Sequence, residues 1–186
     1  RQLGDMKQSV INIAEVGHQM RTDQLELPAG KPRQNLPLRP DDLERVIAID
    51  KVYTGSARRR FLERRLAAAR AAPGDFVQVG VERAGTLAGF ALGRVLHGEF
   101  GMVEPAAVLD AIGVDPASQE QGYGHALMAG FLDVLRSKGV QAVHSQAEWS
   151  SHGLLKYFDS TGFTLAPRLV LERATAQSMS EQGEEI

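Results

Sequence analysis

The sequence predicts one α/β domain, in the α+β sense of a mixed sheet with helices on both sides. Three patterns predict it. Phe76 to Arg83 alternates, with Val77, Val79 and Val81 on one face, and Ala84-Gly85 turns the chain into a return strand from Thr86 to Leu96. Ala107 to Val114 reads as a strand that Pro116 stops and a polar turn joins to a helix. From His125 onward Leu127, Phe131 and Leu135 share one helical face with Met128 and Leu132, and another strand, Gln141 to Ala147, follows the helix-stopping Gly139.

The remaining elements are justified in chain order. Residues 1–35 form an extension: Ser9 to Met20 has the apolar spacing of a short amphipathic helix, and Leu27 to Asn35 is a linker by composition. A surface extension and a dimer-forming arm are both open for it. Leu36 to Arg39 is a short strand. Pro40-Asp-Asp-Leu43 opens a helix whose apolar face holds Leu43, Val46 and Ile47, since proline and acidic residues suit a helix start. Tyr53-Thr-Gly-Ser56 breaks it, and Ser56 is the expected cap of a second helix running to about Ala72. Arg58, Arg59, Arg60, Arg64, Arg65 and Arg70 make that helix basic, either as a solvated face or as a docking surface for an acidic acceptor. Gly153 to Thr161 is a short helix, Arg168 to Arg173 a last strand, and 174–186 a polar tail. The domain itself is expected over 36–173.

Composition narrows the function. A chain of 186 residues can bury a sizeable core, and a net charge of −2 gives no reason to expect nucleic acid or an acidic membrane surface. With no cysteine, disulfides, thiolate metal sites and a cysteine nucleophile are excluded, which fits a reducing cytoplasm. No apolar run reaches the roughly 18 residues of a spanning helix. The opening lacks the charged, apolar and small succession of a signal peptide, and a start at Arg1 implies a trimmed or incomplete N-terminus. His18, His97, His125, His144 and His152 have no metal-like spacing on one element, so no metal is expected.

The chemistry concentrates in Asp110 to Leu127. A strand runs into a turn with Gly122 and Gly124, then into a helix. Unpaired amides and the helix dipole attract phosphate there, and glycine lets the backbone approach an anion. The turn has no Gly-Lys-Ser/Thr, which excludes a P-loop, and Leu127 stands where the Rossmann pattern needs a third glycine. The string Val114-Asp-Pro-Ala-Ser-Gln119-Glu-Gln-Gly122-Tyr-Gly124 resembles the acetyl-CoA signature of the GCN5-related N-acetyltransferases (GNAT), Gln/Arg-x-x-Gly-x-Gly/Ala after the fourth strand. Leu154 to Gly162-Phe163 is similar to the family's next helix, which ends in Gly-Phe. The resemblance covers about Leu36 to Arg173 and is strongest from Ala107 to Phe163.

The resemblance implies a mostly antiparallel central sheet splayed open between strands four and five, with acetyl-CoA (coenzyme A) as cofactor. The pantetheine would pair with backbone around Ile112, Gly113 and Val114. The pyrophosphate would meet the turn made by Gln119, Glu120, Gln121, Gly122, Tyr123, Gly124, His125 and Ala126. Ser151 stands where relatives carry an asparagine, and Phe158, where many carry a tyrosine acid, would line the thioester site. The implied reaction is direct attack by a primary amine of a small molecule or peptide.

An amine with a pKa of roughly 10.4 must lose a proton before attack. Histone-acetylating relatives place a glutamate where this chain has Val108. Asp110, two residues on and so on the same strand face, is the first candidate base, and Glu148 the second. Glu99 and Glu104 are loop outsiders. Tyr157 is the neighbouring candidate acid, rotated by about 100° from the position of Phe158. The short run from Gly162 to Glu172 leaves little room for a substrate-covering loop, so the acceptor side is open or completed by another subunit, as in a homodimer. A non-catalytic acyl-CoA-binding or regulatory module of the same fold, and a different nucleotide-binding protein, are the rival readings.

Overall fold

The computed structural model describes residues 33–101 and 103–176. The expected helix at Ser9–Met20, most of the linker and the end of the tail lie outside the described residues. The chain runs β1 (Arg33–Leu36), α1 (Leu43–Thr54), α2 (Arg59–Ala71), β2 (Phe76–Arg83), β3 (Thr86–Leu96), β4 (Ala106–Val114), α3 (Tyr123–Ser137), β5 (Ala142–His144) and α4 (His152–Ser160). The sheet order is β1-β2-β3-β4-β5, antiparallel throughout except for the parallel pair β4–β5.

Close approaches of the backbone show how the layers sit. A Cβ on Gly93 would lie 2.5 Å from the Phe131 ring of α3, while one on Gly113 would lie 2.9 Å from Ile49 of α1. So α3 packs against one face and α1 against the other, with the sheet between. Phe90, Phe131, Leu62, Leu127 and Leu154 are wholly buried in this core. Full burial of such side chains contributes roughly 1.5–3 kcal/mol each.

Several boundaries differ from expectation. β1 lies three residues earlier than Leu36–Arg39, and Pro40–Asp42 form a 3-10 turn before α1. α2 begins at Arg59, because Arg58 is drawn back onto Asp50 of α1 by two hydrogen bonds of 2.9 and 2.6 Å, so Ser56 is not its cap. β5 has three residues instead of seven. The last strand, Arg168–Arg173, does not form: this stretch is exposed and pairs with no strand among the described residues. Its sequence is strand-like, but strand structure needs a neighbour to bond.

The hairpin turn carries a testable strain. Ala84 has φ 49° and Gly85 φ 79°, the left-handed pair of a two-residue turn. An alanine there costs about 1 kcal/mol. Ala84→Asn, which tolerates that region, is expected to raise the melting midpoint by about 2–4 °C. An unchanged or lowered midpoint would show that the turn relaxes without cost.

Candidate active site

The turn between β4 and α3 is anchored before it reaches its glycines. The Asp115 amide donates to Ala88 O at 2.8 Å, and its carboxylate accepts from the Ala117 amide at 2.8 Å, closing the 3-10 turn Pro116–Ser118. The same carboxylate is ion-paired with Arg45 of α1, whose Nε donates to Leu87 O at 3.0 Å. Beyond it, Gln119 Nε2 donates to the Tyr53 hydroxyl at 2.7 Å, and that hydroxyl donates to Val114 O. Burial, outweighing these bonds, pushes the Tyr53 phenol up. Tyr53, Arg45 and Asp115 were not singled out from the sequence. The Arg45–Leu87, Tyr53–Val114, Tyr53–Gln119 and Arg45–Asp115 contacts span 42 to 70 positions along the chain, so no local pattern announces them.

The chain then enters left-handed backbone twice, at Glu120 (φ 60°) and at Gly122 (φ 78°), before α3 begins. Among the described residues, the amides of Glu120, Gln121, Gly122, Tyr123, Gly124 and His125 find no acceptor. Ala126 differs, because its amide makes the first helical bond, to Gly122 O at 3.0 Å. Six free N–H groups at the positive end of a 15-residue helix form an anion cradle. Gln121 lends its Nε2 to Ala117 O at 3.4 Å, while its buried Oε1 has no partner.

The cradle adjoins an opening in the sheet. β5 pairs with β4 only at Ala106, Ala107 and Val108. Ser145 Oγ reaches Leu109 O at 3.4 Å, and past that point, among the described residues, no strand pairs with Leu109 to Val114 on the β5 side. Ile112 and Gly113 lie on this bared stretch, and both are buried. The carbonyl of Val114 is already taken by Tyr53.

Asp110 sits where the strands part, two residues beyond the last pair. It is the extra residue of a bulge in β4, opposite Leu92 and Gly93 of β3, and so has no direct cross-strand partner. It is buried beside Arg65 of α2 and Arg94 of β3, with Nε–Oδ distances of 3.1 and 3.8 Å. The closer approach lies outside hydrogen-bond angles, so Oδ2 and both Nε atoms are buried without a completed bond. Burial pushes the Asp110 carboxyl up, against the opposing pull of Arg65, Arg94 and Arg58.

The other candidates are spread out. Glu148 is exposed, on an irregular segment after β5 rather than at a strand end, and Glu99 and Glu104 are exposed as well. Tyr157 is buried and its hydroxyl donates to Gly124 O at 2.8 Å. Burial raises its phenol far above the ordinary range. A Cβ on Gly124 would meet its ring at 3.2 Å, so the second glycine makes room for α4 to dock on the start of α3. Phe158 is buried between Tyr157 and Phe163, with ring centroids 5.9 and 4.7 Å away. Ser151 is buried at the start of α4, and His125 is exposed, edge-on to Tyr157. No group of three metal-ligating side chains occurs among the described residues, and no described helix is long and apolar enough to cross a membrane.

A sheet that opens beside a helix start lined with free amides defines a class of protein suited to an anionic head with an extended arm. The chain belongs to the acetyltransferase (GNAT) family, whose model matches residues 41–163. A stretch of 83 residues is 35% identical to a mycothiol acetyltransferase of Thermobispora bispora; it takes in 45% of this chain but only 28% of the length of that relative. Among solved structures, the aminoglycoside antibiotic 6'-N-acetyltransferase AAC(6')-Ih of Acinetobacter baumannii superposes with a TM-score of 0.64 at 14% identity, over 79% of this chain and all of the other. AAC(6')-Iy in complex with a CoA-containing bisubstrate analog gives 0.60 at 20% identity, over 77% and 97% of the two chains. Glucosamine-6-phosphate N-acetyltransferase of Arabidopsis thaliana gives 0.57 at 17%, over 77% and 97%. At these identities the likeness establishes the shared fold.

Proposed function

We propose that the chain is an acetyl-CoA-dependent N-acetyltransferase that passes an acetyl group to a primary amine by direct attack on the thioester. The observation that carries this is the run of six amides without acceptors, from Glu120 to His125, next to the bared edge of β4. A diphosphate fits the amides and an extended arm fits the edge, as strand-like pairing requires. Coenzyme A supplies an activated acyl group with a good leaving thiolate. The chain's own residues bind, orient and deprotonate.

In this reading Asp110 takes the proton from the amine. It stands at the apex of the opening, and burial raises its basicity. Glu148 is exposed and distant along the chain from the apex, which makes it the weaker candidate. Tyr157 acts in packing, because its hydroxyl is committed to a helix carbonyl. Tyr157→Phe is therefore expected to lower stability by about 1 kcal/mol while turnover per folded enzyme stays within about twofold. A loss of kcat of about a hundredfold would instead give Tyr157 the acid role.

The test of the proposal is calorimetric titration with coenzyme A, ATP and NAD, followed by acetyl-CoA turnover over a broad panel of amines. Selective coenzyme A binding with turnover supports it. Tight binding without turnover on any amine favours an acyl-CoA-binding module, and binding of ATP or NAD alone removes the assignment.

A homodimer is part of the same reading. Leu169, Val170 and Leu171 are 88%, 64% and 88% exposed, an apolar strand-like run that a second copy would cover. Light scattering tests it: a dimer that Leu169→Asp converts to monomer is the expected result, and a monomeric parent chain excludes it.

A further inference from the structure

The acceptor side of the sheet is unevenly charged. Arg65 and Arg94 both approach Asp110, at 3.1 and 3.8 Å, and among the described residues neither has another carboxylate partner. Two guanidinium groups therefore share one carboxylate. Arg58, the third cation near this point, is neutralised separately by its two bonds to Asp50. Arg65 is also braced: its guanidinium stacks on the Phe61 ring at 5.3 Å, and Arg58 stacks on the same ring at 4.7 Å. Such an arginine loses little freedom when it meets a further partner.

The polar atoms here are incompletely satisfied. Arg65 Nε, Arg94 Nε, Asp110 Oδ2 and Gln78 Oε1 are buried without a hydrogen-bond partner. They come from α2, β3, β4 and β2. Gln78 pairs with Leu92, two residues from Arg94 along β3, so both side chains belong to the face that carries α1 and α2. Arg65 Nε and Arg94 Nε are ion-paired with Asp110 without a completed hydrogen bond, Gln78 Oε1 has no partner, and no hydrogen bond of either guanidinium group is formed among the described residues, which leaves both able to meet a further acceptor. The Arg65 and Arg94 side chains are partly open to solvent, 23% and 40% exposed.

We infer that the acceptor is a primary amine that itself carries an anion, a carboxylate or a phosphate, held by Arg65 and Arg94 while the amine turns toward Asp110. This rests on the acetyltransferase reading above and names its substrate class. The cluster of two guanidinium groups and one carboxylate carries one net positive charge that an anion offsets, and planar guanidinium groups suit either oxyanion. A polycationic amine is disfavoured by the same charges. The fold neighbours named for aminoglycosides thus share this architecture without sharing its acceptor chemistry.

The test uses matched pairs: glucosamine 6-phosphate against glucosamine, and α-amino acids against their amides, with kanamycin as a polycation. Turnover is read as kcat/KM, and binding by calorimetry with coenzyme A present, so an answer comes even if turnover is absent. The anionic member of a pair is expected to bind or react about tenfold to a hundredfold better. The two pairs separate phosphate from carboxylate recognition. Arg94→Gln should abolish the preference chiefly through KM, and Arg94→Lys should restore part of it. Equal use of charged and neutral amines, preference for the polycation, or a preference untouched by Arg94→Gln overturns the inference. Turnover of neutral amines alone sinks this substrate class and spares the acetyltransferase reading; failure to bind coenzyme A sinks that reading.

Discussion

Gly122→Glu is expected to weaken coenzyme A binding by at least about a hundredfold, roughly 2.7 kcal/mol. Gly122 holds φ 78° at the start of α3, between amides that have no other acceptor. Glutamate adds a side chain in a left-handed conformation and sets a negative charge among donors that would face a diphosphate. Gly122→Asn separates the two effects, because asparagine tolerates this backbone and carries no charge. It should retain binding to within about tenfold. Calorimetric titration of both variants, alongside circular dichroism, is the measurement. Affinity like that of the parent in the glutamate variant would move the phosphates away from this turn.

Asp110→Asn is expected to lower kcat by about a hundredfold or more while leaving coenzyme A affinity unchanged. The substitution keeps shape and removes the base. Burial raises the Asp110 carboxyl above its ordinary value of about 3.9, so the acid limb of the parent enzyme's kcat/KM should lie above that value and vanish in the variant. The stability effect has the opposite sign to that of a carboxylate whose pKa an ion pair depresses. A raised pKa means that the fold holds the proton more tightly than the unfolded chain does. That stabilisation is complete below about pH 3.9 and is lost as pH rises through the raised value. The asparagine variant loses the cost of the buried charge but also leaves Arg65 and Arg94 without their carboxylate, so a melting scan accompanies the kinetics to show that it is folded. Full activity in a folded variant would pass the base role to another group.

The parts of this molecule that sequence conveys are those with a local period or a local conformational demand. The alternation of Val77, Val79 and Val81, the helical stripe of Leu127, Phe131 and Leu135, and the left-handed Gly122 all declare themselves within a few residues. Asp110 was legible as a carboxylate near the opening, because strand alternation ties it to the face of Val108. Its arginine neighbours were not, since Arg65 is 45 positions away and the β4 bulge at Asp110 leaves no mark in composition. Arg168–Arg173 misled in the reverse direction. Its residues favour extended structure, but an extended segment becomes a strand only beside another, and β5 is too short to serve. Tyr157 shows the same limit: only the 2.8 Å contact with Gly124 O distinguishes a packing tyrosine from an acid.

The hydroxyl of Tyr53 lies at a crossing. It accepts a hydrogen bond from Gln119, on the turn side, and donates one to the last carbonyl of β4, while its ring belongs to α1 on the opposite face of the sheet from α3. A movement of α1 that carries the Tyr53 hydroxyl would disturb both bonds. If coenzyme A and an amine each shift α1, the factor by which the amine sharpens affinity for coenzyme A is expected to equal the factor by which coenzyme A sharpens affinity for the amine.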